Sequence, residues 1–205
     1  EISLSAGVGT NGTTIGAGIR EKNFLGKGIN LTTNLEISDE SLKGQFVYSK
    51  PNFAYTDNTL FTSIKSTSTD LMADSGYKLT EAGFSFGTEF EQYENLFFSP
   101  ELDFAIEDLK TNSSASSALK NQQGSYEDFY FNYGLTYDLR DSSYKPTSGS
   151  KTSFRQELPV VSGNSEIQNT IVYTKYKSLT KSKEMIGEAS VYFKAINSLD
   201  DSNVR

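Results

Sequence analysis

Glu81, Glu89 and Glu91 are the residues whose type and spacing could do chemistry, because Glu89 and Glu91, two apart on an extended strand, put two carboxylates on one face about 7 Å apart. Such a pair could hold a metal ion or share the acid and base steps of a hydrolysis. Their surroundings favour a plainer reading. They alternate with Ala82, Phe84, Phe86, Thr88 and Phe90, so they form the polar face of a strand, where carboxylates are ordinary solvated groups. A second candidate is Gly7, Gly9 and Gly12, which match the spacing of a dinucleotide-binding fingerprint. That fingerprint requires a helix to follow, and "TTIGAGIREKN" is another alternating stretch. A hairpin with a tight Asn11-Gly12 turn is expected there. The sequence has no cysteine and no histidine, which excludes thiol nucleophiles, Cys/His zinc sites and Ser-His-Asp triads. A net charge of −7, with no cluster of Lys and Arg, argues against nucleic acid as a partner. No cofactor or ATP site is expected.

What positions these residues is a period-two pattern that runs from end to end. Apolar positions alternate at Ile2, Leu4, Ala6 and Val8, at Ile15, Ala17 and Ile19, at Ile29, Leu31, Leu35 and Ile37, and at Leu42, Phe46 and Tyr48. They continue through Leu60 and Ile64, Ala82 to Phe90, Leu102 to Ile106, Phe129 to Leu139, Phe154 and Leu158, Ile171 and Tyr173, and Val191 to Ala195. About eleven strands result, many long enough to cross a bilayer at a tilt. No run of 18 apolar residues encodes a transmembrane helix, and the mean hydropathy of −0.47 would suit a soluble protein. Transmembrane β-barrels share that average, because only every second residue faces lipid. A soluble β-sandwich shows the same alternation.

The connections favour the barrel. Counted along the chain, "TDLMADSGY" and the Ser-rich "KTNSSASSALKNQQGS" fall on one side, while "NFLGKG", "KPNFAYTDN", "YENLFFSP" and "YDLRDSSYKPTSGSK" fall on the other. Longer polar loops on one side and aromatic-bearing turns on the other are expected of outer-membrane barrels, with Phe24, Phe53, Tyr55, Tyr93, Phe97, Phe98 and Tyr144 at the turn side. Eleven strands exceed what an open twisted sheet usually carries, and single-chain bacterial barrels have even strand numbers. Residues 1–205 therefore read as one partial barrel domain, the first part of a larger barrel. No signal peptide opens the chain, and the final "INSLDDSNVR" supplies no closing strand. Residues Asp200 and Asp201 read as a solvated loop.

In "YDLRDSSYKPTSGSK", Arg140 lies between Asp138 and Asp141 and offers a charge-assisted pairing to pin the strand end, while Pro146 fixes φ and Gly149 can take a positive one. This segment resembles one in the barrel of the BamA family of outer-membrane protein assembly factors, matched by Asp138, Arg140, Asp141, Pro146, Thr147 and Gly149. The stretch "GIREKNFLGKGINL" is similar to an early turn of that family, matched by Asn23, Phe24, Leu25, Gly26 and Gly28. The resemblance implies an all-β, antiparallel transmembrane barrel in the bacterial outer membrane, with about eleven of sixteen strands present. It also implies that the periplasmic POTRA repeats, the sixth external loop and the last strands are missing, and that Arg205 is not that loop's arginine.

By the same resemblance the function is assembly and insertion of β-barrel proteins without covalent chemistry, so the chain is expected not to be an enzyme. The implied partners are outer-membrane lipids, nascent β-barrel clients and accessory outer-membrane lipoproteins. The first strand, Ile2, Ser3, Leu4, Ser5, Ala6, Gly7 and Val8, would be a pairing template at a lateral seam, its glycines lowering sheet stability. Two alternatives stay open: a translocation pore, as in TamA-like or two-partner secretion transporters, and a passive porin.

Overall fold

The alternation described above produces strands wherever it runs unbroken. The protein, described by a computed structural model, is defined over residues 1–9, 12–162, 166–182 and 184–199. Eleven strands follow one another: β1 (Ile2–Gly9), β2 (Gly12–Phe24), β3 (Ile29–Ser38), β4 (Ser41–Lys50), β5 (Thr59–Leu71), β6 (Tyr77–Tyr93), β7 (Leu96–Thr111), β8 (Gly124–Asp138), β9 (Gly149–Val161), β10 (Glu166–Ser178) and β11 (Ile186–Ser198). They form one sheet in chain order, each strand antiparallel to the next. A single-turn helix, α1 (Ser117–Asn121), sits between β7 and β8, capped by the Ser116 hydroxyl on the Leu119 amide. Among the described residues no helix follows Gly7, Gly9 and Gly12, so the dinucleotide reading falls and the hairpin stands. Asn11 lies outside the described residues, while Gly12 takes a φ of 85°.

The register keeps the two faces distinct across the sheet. Ile2, Ile19, Thr33, Phe46, Ile64, Phe84, Phe104 and Phe129 fall in one cross-strand row, and the next row reads Ser3, Gly18, Asn34, Gln45, Lys65, Gly83, Ala105 and Asp128. This arrangement inverts a soluble core. Large apolar side chains such as Leu4, Ile64, Phe104 and Val191 are exposed, whereas Asn132 is 2 % exposed and Ser85 and Glu166 are buried. An apolar surface of that extent fits lipid rather than water. Aromatic pairs stiffen it, with the rings of Phe104 and Phe129 stacked at 4.4 Å and Phe90 edge-on to Phe98 at 5.7 Å.

The connections differ from the sequence reading. One end carries gaps of 2, 2, 5, 12 and 4 residues between strands and the other carries gaps of 4, 8, 2, 10 and 7, so length does not separate the ends. The reason lies in strand extension. "TDLMADSGY" shrinks to a short turn because β5 and β6 run into it, and "YENLFFSP" shrinks to Glu94 and Asn95 because Phe97 and Phe98 belong to β7. Asn95 takes a φ of 61° to make that turn, and Pro100, although inside β7, interrupts pairing with β6 between Gly87/Glu101 and Phe90/Phe98.

The two faces should respond oppositely to charge. Ile64→Lys, at the centre of the apolar face, is expected to cost about 2–4 kcal/mol of folding stability in lipid, while Asn34→Lys on the polar face stays within about 0.5 kcal/mol. Reversible unfolding of the full-length protein in liposomes measures both.

Candidate functional site

Two regions carry the candidate residues: the outer edge of β1 and the turns at the end of the sheet shared by the β2–β3 and β8–β9 connections. β1 pairs with β2 from Ile2↔Ile19 to Gly9↔Gly12 without interruption, through Gly7 and Gly9. Among the described residues nothing pairs with its other edge. Main-chain phase follows from one pair. The Arg20 amide donates to the Glu1 carbonyl at 2.8 Å while the Glu1 amino group donates to the Arg20 carbonyl at 2.7 Å. Because hydrogen-bonded and non-bonded pairs alternate in an antiparallel ladder, Ser3, Ser5 and Gly7 spend their main-chain groups on β2, while Ile2, Leu4, Ala6 and Val8 direct theirs outward. The seven residues of the expected template thus divide into four that present N–H and C=O groups and three that hold the strand in place. The four presenting residues have apolar side chains, and Ile2, Leu4 and Val8 are at least 76 % exposed.

On the polar side, Ser3 and Ser5 lie low over Gly18 and Gly16, where a Cβ would meet the serine hydroxyls at 2.6 Å and 2.5 Å. The wall beside the edge is therefore thin, and a recess of about 510 Å³ opens there, bounded further in by Asn34, Glu36, Lys43, Gln45 and Lys65.

The first turn is built by Asn23. Its side-chain oxygen accepts from the Gly28 amide at 2.7 Å and its carbonyl accepts from the Gly26 amide at 2.9 Å. Leu25, Gly26 and Gly28 all take positive φ, at 57°, 68° and 66°, so glycine is favoured at two of the three positions while Leu25 bears strain.

The second turn contains the charge-assisted pairing expected at the strand end, made with Asp138. Of the two aspartates the Arg140 guanidinium takes Asp138, with Nε 2.8 Å from Oδ1 and an Nη 2.6 Å from Oδ2, and its other Nη donates to the Ser143 carbonyl at 3.5 Å. Asp138 also accepts from the Arg140 amide at 3.1 Å, which folds the arginine back onto the strand end. Asp141 instead closes the loop, accepting from the Thr147 amide at 2.8 Å, the Thr147 hydroxyl and the Ser148 amide at 3.1 Å. These bonds hold its carboxyl well below the ordinary carboxylate range. Pro146 precedes that clasp, and Gly149 restarts β9 at a φ of 102°, where a Cβ would lie 2.1 Å from the Leu139 carbonyl oxygen. The Asp138 amide donates to the Asn95 carbonyl at 2.9 Å, tying this turn to the neighbouring β6–β7 turn.

Two of the three glutamates on β6 have structural partners. Glu89 accepts from the Ser99 hydroxyl at 2.9 Å and Glu91 from the Asn95 amide at 2.6 Å, and the described residues contain no cluster able to hold a metal ion.

Residues 23–205 match the Omp85 superfamily domain. The chain belongs to the Omp85 superfamily. The fold is similar to BamA of Haemophilus ducreyi lacking POTRA domains 1–3, with a TM-score of 0.75 at 23% identity over 97% of this chain. The chain spans 41% of that chain's length. Both rim turns lie inside the matched region, whereas β1 and most of β2 precede it. An Omp85 chain with a BamA-like barrel fold resides in the bacterial outer membrane, and the apolar face described above is accordingly its lipid face.

Sequence reasoning missed a set of polar-face residues. Lys65 passes across β6 to Asp103 on β7, and Arg155 passes across β8 to Glu101, also on β7. The available signal was Gly83, a glycine inside an uninterrupted strand, which marks a close approach: a Cβ there would meet Lys65 Cε at 2.5 Å.

Gly149→Ala is expected to cost about 1–3 kcal/mol through the left-handed backbone and the lost clearance. Asp141 gives a pH signature. Because its pKa is depressed by folding, its contribution to the turn is complete above the unfolded value near about 4 and declines as pH falls below it. Hydrogen exchange at Thr147 and Ser148, corrected for intrinsic rates, should accelerate in acid in the natural protein and be fast throughout in Asp141→Ala.

Proposed function

We propose that this chain is the first eleven strands of a barrel completed to about sixteen, and that the barrel assembles other β-barrel proteins into the outer membrane through the edge of β1. The observation that carries this reading is the phase of β1, which sends the main-chain groups of Ile2, Leu4, Ala6 and Val8 away from β2. An exposed strand edge is a template for an incoming strand. In hydrocarbon the drive to pair is strong, because an unmatched backbone group costs several kcal/mol and water is not there to relieve it.

The mechanism requires no bond to be made or broken in the client. A client strand lays its N–H and C=O groups against the four outward residues, the next client strand pairs with the first, and the growing sheet buries its apolar face in lipid as it goes. The thin wall over Gly16 and Gly18 leaves space on the lumen side for client side chains to pass. The rim turn built by Asp138, Arg140, Asp141 and Gly149 holds the ends of β8 and β9 in register while the seam is open. The proposed partners are nascent β-barrel proteins, outer-membrane lipids and accessory outer-membrane lipoproteins.

Proline substitution separates the two main-chain directions, since proline removes one donor and is tolerated on an edge. In the full-length parent protein, Ala6→Pro deletes an outward donor and should lower client assembly by more than about tenfold, since one group is left unmatched in hydrocarbon, while the protein itself still reaches the membrane folded. Ser5→Pro removes a β1–β2 bond instead and should weaken the protein's own fold. Normal client assembly by Ala6→Pro would end the template reading.

A further inference from the structure

The lipid face carries lysines at both ends of the sheet, and the two ends treat them differently. At one end Lys78 of β6 is paired in register with Asp70 of β5, its Nζ 2.9 Å from Oδ2, and Lys110 of β7 places its Nζ 3.0 Å from Asp108 Oδ2 on the same strand. Each of these ammonium groups therefore has its own carboxylate. At the end that carries the two rim turns, Lys175 and Lys177 stand exposed near the close of β10, on the same lipid face as Ile171 and Tyr173. Two positions apart on an extended strand, their backbones are separated by about 7 Å.

No carboxylate neutralises this second pair. Among the described residues none lies within 4.0 Å of either ammonium group, and the register surrounds both lysines with neutral side chains. Lys175 faces Ser150 of β9 and Ala189 of β11, and Lys177 faces Gly187. One row deeper on this face lie Tyr173, Thr152, Val191 and Tyr137. The nearest acidic residues in sequence are turned elsewhere: Glu184 accepts from the Ser182 hydroxyl at 2.9 Å, and Glu188 is in register with Tyr176 on the lumen face. Two like charges this close to a low-dielectric layer repel each other unless an anion comes between them.

We propose that Lys175 and Lys177 form a binding site for the phosphate of an anionic glycerophospholipid of the phosphatidylglycerol class. Lysine stems run along apolar surface and deliver their ammonium groups to the headgroup level, where two of them at this spacing converge on the oxygens of one phosphodiester. The Ser150 hydroxyl, level with Lys175, is a third donor on the same face. Gly187 and Ala189 leave the headgroup room, while exposed Leu179 beside Gly187 and exposed Leu139 beside Ser150 flank it. The acyl chains then lie along Tyr173, Val191 and Phe193, all exposed on this face. A zwitterionic headgroup brings its own ammonium group and suits the pair less well, and the two separated phosphates of lipid A call for cations further apart. The site lies on β10, away from the β1 edge, and rests on the outer-membrane location rather than on the assembly mechanism.

The test is native mass spectrometry of the full-length protein, delipidated in a neutral detergent and titrated separately with phosphatidylglycerol, phosphatidylethanolamine and lipid A. Phosphatidylglycerol is expected to bind at least about tenfold more tightly than phosphatidylethanolamine, and Lys175→Gln combined with Lys177→Gln should weaken it at least about tenfold. Lys175→Arg combined with Lys177→Arg, which keeps both charges, should retain the lipid, and Lys78→Gln at the opposite end should leave its binding unchanged. The shift in electrophoretic mobility on heating confirms that each variant is folded. Equal phosphatidylglycerol binding by the natural protein and the glutamine double variant, no preference over phosphatidylethanolamine, or tighter binding of lipid A would overturn the site.

Discussion

A backbone in hydrocarbon must find all its hydrogen bonds within the protein, and the architecture of this chain follows from that constraint. Eleven strands satisfy one another in chain order, leaving among the described residues two edges, β1 and β11. The side chains follow the same logic. With lipid on one side of the sheet and the lumen on the other, the apolar residues are the exposed ones and the buried residues include Ser85, Asn132 and Glu166. Burial here measures how tightly the lumen wall is packed with polar groups.

Glycine determines where that wall is thick and where it is thin. On β6, Gly83 and Gly87 clear space for Lys65 and Phe61 of β5 to lie across the strand, so the wall from β5 to β9 is laced by side chains that span two strands. On β2, Gly16 has Ser5 above it and Gly18 has Ser3 and the side-chain oxygen of Asn34, all short side chains. The same residue type thus produces a braced wall in one region and a bare one beside the free edge. In the proposed mechanism the seam would have few side chains to unlace, while the braced wall keeps the remaining strands in register.

Much of this was legible in the sequence. The period-two pattern gave the number of strands, their order and the identity of both faces, because side-chain alternation is a local property of extended backbone. Asparagine and glycine marked the first rim turn and proline and glycine the second, and Gly149 proved to need its positive φ. Other features were hidden for physical reasons. Phe97 and Phe98 resembled a turn because they precede Pro100, yet pairing with β6 and β8 carries the strand through them. The pairing of Asp141 with Thr147 rather than Arg140 depends on how the loop returns, which a charge pattern does not encode. Lys65 and Asp103 are 38 residues apart in number and meet across an intervening strand, beyond the reach of any local pattern.

The central claim is that β1 pairs with a client through Ile2, Leu4, Ala6 and Val8. If so, Ser3 and Ser5 occupy the non-bonded positions opposite an antiparallel client strand, where Cα atoms approach to about 4.5 Å, close enough for a disulfide. The absence of any cysteine in this chain makes the measurement clean. In-cell disulfide trapping would place cysteine at Ser5 of the full-length parent protein, and a second at successive positions in the last strand of a stalled client barrel. The account predicts a client adduct at alternate client positions. Adducts that form only between Ser5→Cys and the parent protein's own last strand, with no client captured at any position, would contradict it.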